Sequence, residues 1–271
     1  MCGSNKKRQL LTTSGSLLLR SSSLQPIHWS RALSRREAAQ NTGKTSINAG
    51  TLVLAPEATI DNSSEIIVGT ADEQGTLDVS AKSDFSIGSG QRLSGYGTVN
   101  LGEGKTLTIY GILSPGNSPG VTSVIGDAEL DAISTTLMEL AGIGGVAGVD
   151  FDQFEVSGLL TYGGDLSIQG FSGYDITQTA VYQLFDFAQE NGDFNSVIVG
   201  TTGLVLDNGI WSGSDAMANY TFSQASGIFT VASVPEPEAV ALIGFSVVVL
   251  LLRRRHSRPF QTEVCGSASE Q

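Results

Sequence analysis

This 271-residue chain has two histidines and two cysteines, and all four stand near its ends, as Cys2, His28, His256 and Cys265. Residues 29 to 255 contain neither type. A Ser-His-Asp or Cys-His relay needs an imidazole beside its nucleophile, and structural zinc needs thiolate or imidazole ligands. The body of the chain is therefore closed to both chemistries. A disulfide between residues 2 and 265 would staple no local structure. Carboxylate chemistry is what remains.

Asp127, Glu129 and Asp131 alternate with Ala128, Leu130 and Ala132. In a strand the three carboxylates share one face at spacings of about 6.6 Å. Calcium takes six to eight oxygens, so such a row could hold it with help from a neighbouring strand. The same pattern equally describes a solvated outer face over an apolar inner one. Asp150, Asp152 and Glu155 pose the same pair of readings. Glycoside hydrolysis would need two carboxylates at a set separation, and a lyase would add a base. Only Lys82, Arg92 and Lys105 supply cations between residues 45 and 233. Gly43-Lys44-Thr45 lacks the glycine a phosphate loop needs five positions earlier, where Ala38 stands. Gly144-Gly145-Val146-Ala147-Gly148-Val149-Asp150 is one residue too long for a calcium-binding nonapeptide and occurs once.

Charge falls into blocks. Residues 1–44 hold eight Lys/Arg against one acid, net +7, whereas residues 45–233 hold three against 22, net −19. An acidic body repels phosphate backbones, which argues against nucleic-acid binding. The Ser- and Arg-rich segment 1–40 reads as disordered, with a weak or missing signal peptide, because Thr12, Thr13, Ser14 and Ser16 interrupt its apolar stretch.

The elements that must carry these residues repeat. Gly50-Thr51-Leu52-Val53-Leu54 recurs as Gly75-Thr76-Leu77-Asp78-Val79 and Gly97-Thr98-Val99-Asn100-Leu101, at spacings of 25 and 22 residues. Lys105-Thr106-Leu107-Thr108-Ile109 and Gly164-Asp165-Leu166-Ser167-Ile168 are looser echoes. One strand per period in the twenties points to a β-solenoid, in which each rung buries its apolar face against the next. A sandwich would place strands every 8–12 residues instead. The solenoid predicts Leu52, Leu54, Leu77, Val79, Val99, Leu101, Leu107 and Ile109 facing inward.

Asn41-Thr42-Gly43-Lys44-Thr45-Ser46-Ile47-Asn48-Ala49-Gly50-Thr51-Leu52-Val53-Leu54 resembles the autotransporter-associated β-strand repeat. The turn Leu113-Ser114-Pro115-Gly116-Asn117-Ser118-Pro119-Gly120 and the later phrases 151–158 and 163–168 resemble the end of such passenger regions. The resemblance implies a right-handed parallel β-helix in an exported protein. The architecture expected from the residues closes in a more sandwich-like C-terminal part.

Val234-Pro235-Glu236-Pro237 precedes fourteen uncharged residues, Ala239–Leu252, and then Arg253-Arg254-Arg255. As a helix the apolar run spans about 21 Å, short of a roughly 30 Å hydrocarbon core, and the arginines can snorkel to lengthen it. They also place its C-terminal end in the cytoplasm. Motif, apolar segment and arginine cluster together resemble the PEP-CTERM sorting signal. That resemblance implies recognition of Pro235, Glu236 and Pro237 by an exosortase, with Arg253, Arg254 and Arg255 as the stop-transfer cluster.

The expectation is an all-β chain with one C-terminal transmembrane helix. Its parts are a basic segment 1–40, solenoid repeats 41–125, a C-terminal β region 126–233, the sorting signal 234–255 and a cytoplasmic tail 256–271. It would be an inner-membrane precursor carried by export machinery to the cell surface or extracellular matrix, structural or adhesive rather than enzymatic. Exopolysaccharide would be its partner, and calcium its one candidate ion. A polysaccharide lyase or hydrolase, or a permanently anchored surface protein, is the alternative.

Overall fold

Apolar residues alternating with polar ones, punctuated by glycine corners, put this chain into short strands. The structure, a computed structural model, describes the strand Ser16–Leu18 and residues 43–116 and 119–235. Among these residues there is no α-helix, only two short 3-10 turns at Phe171–Gly173 and Gln224–Ser226. The chain is all-β. It divides into one compact unit, Met1–Ser233, and a second beginning at Val234.

Parallel pairing dominates the compact unit. One ladder stacks β1 (Ser16–Leu18), β2 (Lys44–Ile47), β4 (Glu65–Val68), β7 (Arg92–Gly95), β10 (Ile112–Pro115), β13 (Thr135–Leu140), β15 (Asp165–Gly170) and β18 (Ser196–Val199), and the short β19 (Thr202–Gly203) pairs antiparallel with the last. A second stacks β3 (Gly50–Val53), β5 (Gly75–Asp78), β8 (Thr98–Asn100), β11 (Val121–Ile125) and the first half of β14 (Gln153–Tyr162). A third stacks β6 (Phe85–Ile87), β9 (Thr106–Ile109), β12 (Asp127–Leu130) and the second half of β14. The strand β17 (Phe185–Gly192) then runs along both halves of β14. Each pass of the chain meets the ladders in the same order. The boundary between 125 and 126 falls at Gly126, between β11 and β12 of one pass.

The repeated phrase explains the stacking. Gly50 pairs with Gly75, Thr51 with Thr76 and Leu52 with Leu77, and Thr76 and Leu77 pair in turn with Thr98 and Val99. A Cβ added at Gly75 would run into the Ile47 carbonyl, and one at Gly97 into the Gly75 carbonyl. Backbone from one pass touches backbone of the next there, which only glycine permits. Of the eight residues expected inside, seven are buried. Leu52 is half-buried, because β3 is the end strand of its sheet among the described residues. The looser echoes do not join this ladder: 105–109 lies in β9 of the third and 164–168 in β15 of the first.

The C-terminal part turns antiparallel. β16 (Ala180–Gln183), β23 (Ile228–Ser233), β22 (Ala218–Ser223), β21 (Ile210–Ser214) and β20 (Val205–Asp207) form a five-stranded sheet in that order. Its inner face carries Tyr182, Phe229, Tyr220, Phe222 and Trp211, all buried. Phe222 meets Tyr162 and Phe185 of the parallel ladders with ring centroids 6.3 and 5.7 Å apart. An aromatic layer thus succeeds the aliphatic stack formed by the earlier passes. Among the described residues no helix is long and apolar enough to cross a membrane, and the segment expected to do so, 239–252, lies outside them.

Candidate functional site

The three cations of residues 45–233 have different fates. Lys82 Nζ donates to the carbonyls of Pro56 at 3.1 Å and Ala58 at 2.7 Å, in the corner of the preceding pass. Lys105 Nζ repeats the arrangement one pass later, donating to Ser80 O at 2.5 Å and Lys82 O at 2.8 Å. Corner carbonyls have no strand partner, so each lysine satisfies two acceptors the turn leaves open. Neither ammonium is placed as a proton-abstracting base. Lys44 lies on β2 and pairs with Glu65, while Thr45 points inward and bonds Ser63 Oγ at 2.7 Å. Gly43-Lys44-Thr45 therefore leads into and forms strand, and no phosphate loop is built there.

The carboxylate row is only partly a row. Asp127 and Glu129 lie on the outward face of β12, and Asp131 lies just beyond the strand end. Asp127 Oδ1 accepts the Leu159 N–H at 2.8 Å, next to the register shift of β14 against β17. Glu129 Oε2 accepts Thr108 Oγ1 at 3.4 Å, and Asp131 Oδ1 accepts the Ile133 N–H at 3.0 Å. No group of three or more potential metal ligands gathers among the described residues. In the glycine-rich loop 141–150, Asp150 Oδ2 accepts the Val146 N–H at 2.9 Å. Glu155 accepts Ser123 Oγ at 2.6 Å across neighbouring strands.

Asp152 differs from all of these. It is fully buried, with Oδ1 accepting the Gly120 N–H at 2.7 Å and Oδ2 the Glu139 N–H at 2.9 Å. Burial pushes its pKa up to about 8, the two N–H donors pull it back, and the charge of Glu139 raises it further. The side chain ties the glycine turn before β11 to the end of β13. Close by, Tyr96 donates its hydroxyl to Pro119 O in the same turn, and its pKa is raised by burial and by Asp152. A sequence signal for this clip existed, an acid between Phe151 and Gln153-Phe154, but not for its partners. At the surface, Asp175 and Asp215 have pKa values lowered by hydrogen bonds from Thr177 and Met217 respectively.

One feature on the first ladder was not legible beforehand. A shallow groove of about 220 Å³ crosses β7, β10, β13 and β15 and is lined by Arg92, Ser114, Leu137, Glu139 and Gln169. Burial raises the Glu139 pKa and the Arg92 charge lowers it. Of the sorting motif, Pro235 is exposed just past β23; Glu236, Pro237, Arg253, Arg254 and Arg255 lie outside the described residues.

Fold and side chains define an all-β protein of stacked parallel ladders in which Lys82, Lys105 and several aspartates bind its own main chain. Compared with known proteins, the chain matches no family model, no curated protein and no solved structure.

Proposed function

We propose that this chain is an exported structural or adhesive protein of the cell surface or extracellular matrix, built as a right-handed parallel β-helix. The handedness follows the near-universal rule for parallel strands joined by crossovers. One observation supports the scaffold reading over an enzymatic one. Several ionisable groups of the body are committed to main-chain partners: Lys82 and Lys105 to corner carbonyls, Asp127, Asp150 and Asp152 to backbone N–H groups. Groups held this way stiffen a frame; general acids and bases need a partner in a substrate.

Delivery rests on the resemblance of the C-terminal segment to a PEP-CTERM signal. In this reading Ala239–Leu252 holds the precursor in the inner membrane with Arg253, Arg254 and Arg255 on the cytoplasmic side. An exosortase then acts at Pro235, Glu236 and Pro237, and the body, resembling autotransporter-associated β-strand repeats, joins the exopolysaccharide matrix. The test is mass spectrometry of the C-terminus of the protein recovered from membrane and from released material. Released protein ending near Pro237 is the expected result. Peptides from 262–271 in the released fraction would refute processing, retention in the membrane alone would make the protein a permanent anchor, and a cytoplasmic location would refute export. Binding to native matrix polysaccharide, with and without chelator, tests whether the Asp127, Glu129 and Asp131 region takes part through calcium.

A further inference from the structure

We propose that the outward face of the C-terminal antiparallel sheet is a contact surface for a second copy of this chain, the two sheets packing face to face about a two-fold axis along β22. This contact is independent of the matrix reading and follows from what the strand registers place on that face. Charge sets the face apart. Residues 45–233 carry a net −19. The outward sides of the parallel ladders share that excess, with Glu65 and Asp165 on the first, Asp78 and Glu155 on the second, and Asp127 and Glu129 on the third. Among the described residues, the outward side of the five-stranded sheet holds a single charge, Asp207, at one corner. Two copies of so acidic a body repel each other least where carboxylates are missing.

The face is also complementary to itself. In its central row Val181, Thr230, Thr221, Ser212 and Val205 are successive register partners. Valine stands at both ends, 60% and 71% exposed, and hydroxyls fill the middle. A two-fold axis along β22 reverses the strand order, so β16 faces β20 of the other copy and β23 faces β21. Val181 then meets Val205, Thr230 meets Ser212, and Thr221 meets its own counterpart. The next row repeats the match, because Ile228 and Ile210 flank Ser223 and fall opposite each other. In that row Asp207 falls opposite Gln183 rather than another carboxylate. In the third row Ala232 and Ser214 exchange places about Asn219. Apolar side chains thus meet apolar ones, hydroxyls can donate to hydroxyls, and no two charges oppose each other. Five strands about 4.8 Å apart, crossed by rows about 6.8 Å apart, give roughly 400 Å² per copy. That is half of the roughly 800 Å² per partner of a stable complex, so the dimer is weak and forms where the protein is concentrated.

The test is cross-linking of the full-length chain in mild detergent, with Cys2→Ser and Cys265→Ser removing the native thiols. In that background Thr221→Cys puts a thiol on the axis, and Ser86→Cys puts one on the outward side of β6 in another ladder. A bismaleimide with a spacer of about 10 Å, the separation of packed sheets, should join position 221 to position 221 and leave the Ser86→Cys protein monomeric. By sedimentation, Val181→Lys and Val205→Glu should each weaken dimerisation about tenfold with circular dichroism unchanged, since each lodges two unpaired charges in the contact. Combined in one chain, the introduced lysine and glutamate face each other twice across the axis, and dimerisation should return to within about threefold of wild type. A dimer indifferent to both single variants, or variants whose effects simply add, would overturn this packing. Equal cross-linking at 86 and 221 would show encounter without a defined face and would overturn it as well. Keeping Cys265 beside Thr221→Cys tests the chain's own C-terminal segment as occupant, and a monomeric 221–265 product in place of the dimer would refute the second copy. Absence of any dimer up to about 1 mM overturns the proposal outright. Localisation and C-terminal processing decide the matrix reading separately.

Discussion

Replacing Asp152 with asparagine should remove most of the pH dependence of stability between pH 4 and 8. In the unfolded chain its carboxyl titrates near 3.9, as aspartates generally do. In the folded protein burial moves that titration to about 8. Across the interval the native state keeps a proton that the unfolded state has released, so unfolding free energy falls as pH rises. The slope approaches 1.4 kcal/mol per pH unit, on the order of 5 kcal/mol across the window, and levels off above the folded value. Asp175 and Asp215 have lowered values, so their contribution is present above the ordinary carboxylate range and lost below it, outside this window. Glu139, raised by burial, adds a slope of the same sign that the variant keeps. Asparagine has one oxygen for two N–H donors, and its NH₂ must face either Gly120 N or Glu139 N. At pH 5 the variant should therefore be about 1–3 kcal/mol less stable than wild type. Near pH 8 that difference should shrink or reverse. The assay is urea unfolding of both proteins at half-unit pH steps from 5 to 9. Parallel curves would refute the reasoning, because they would show that the buried carboxyl is not ionising at the expense of the fold.

Three further outcomes follow from packing. Thr136 Oγ1 is buried without a hydrogen-bond partner among the described residues, between the register neighbours Leu113 and Leu166. Thr136→Val should stabilise by about 1–2 kcal/mol, seen as a raised urea midpoint with unchanged slope. Gly97→Ala, whose Cβ meets the Gly75 carbonyl, should cost more than about 2 kcal/mol, while Gly90→Ala, with open space around it, should change stability by less than about 1 kcal/mol in thermal melts. Lys105→Met removes a charged donor to two corner carbonyls and should cost about 1–3 kcal/mol, with faster amide exchange in the 80–84 turn as the local readout.

The residues and the folded chain answered different questions. The Gly-Thr-apolar phrase at 50, 75 and 97 was enough to assign strands, their inward residues and their mutual stacking. It combines a period-2 face with a glycine that backbone contact demands, and both are local properties. The missing His and Cys, the acidic body and the basic end were equally plain, since composition does not depend on folding. Tertiary structure alone decided which strands become neighbours. Successive register partners on the first ladder, from Lys44 through Glu65, Arg92, Ile112, Thr135 and Asp165 to Ser196, are separated by 20 to 31 residues. With so uneven a spacing no fixed period could align them, and the phrases at 105 and 164 landed on other ladders. The antiparallel sheet pairs Ala180 with Val231, a contact that no repeat announces. The same long reach sets the chemistry. Lys82 and Lys105 became corner donors, Asp152 became a buried clip, and Arg92 and Glu139 came to face one groove, because stacking brings side chains from different passes within a few ångströms. Spacing along the chain carries no record of that distance.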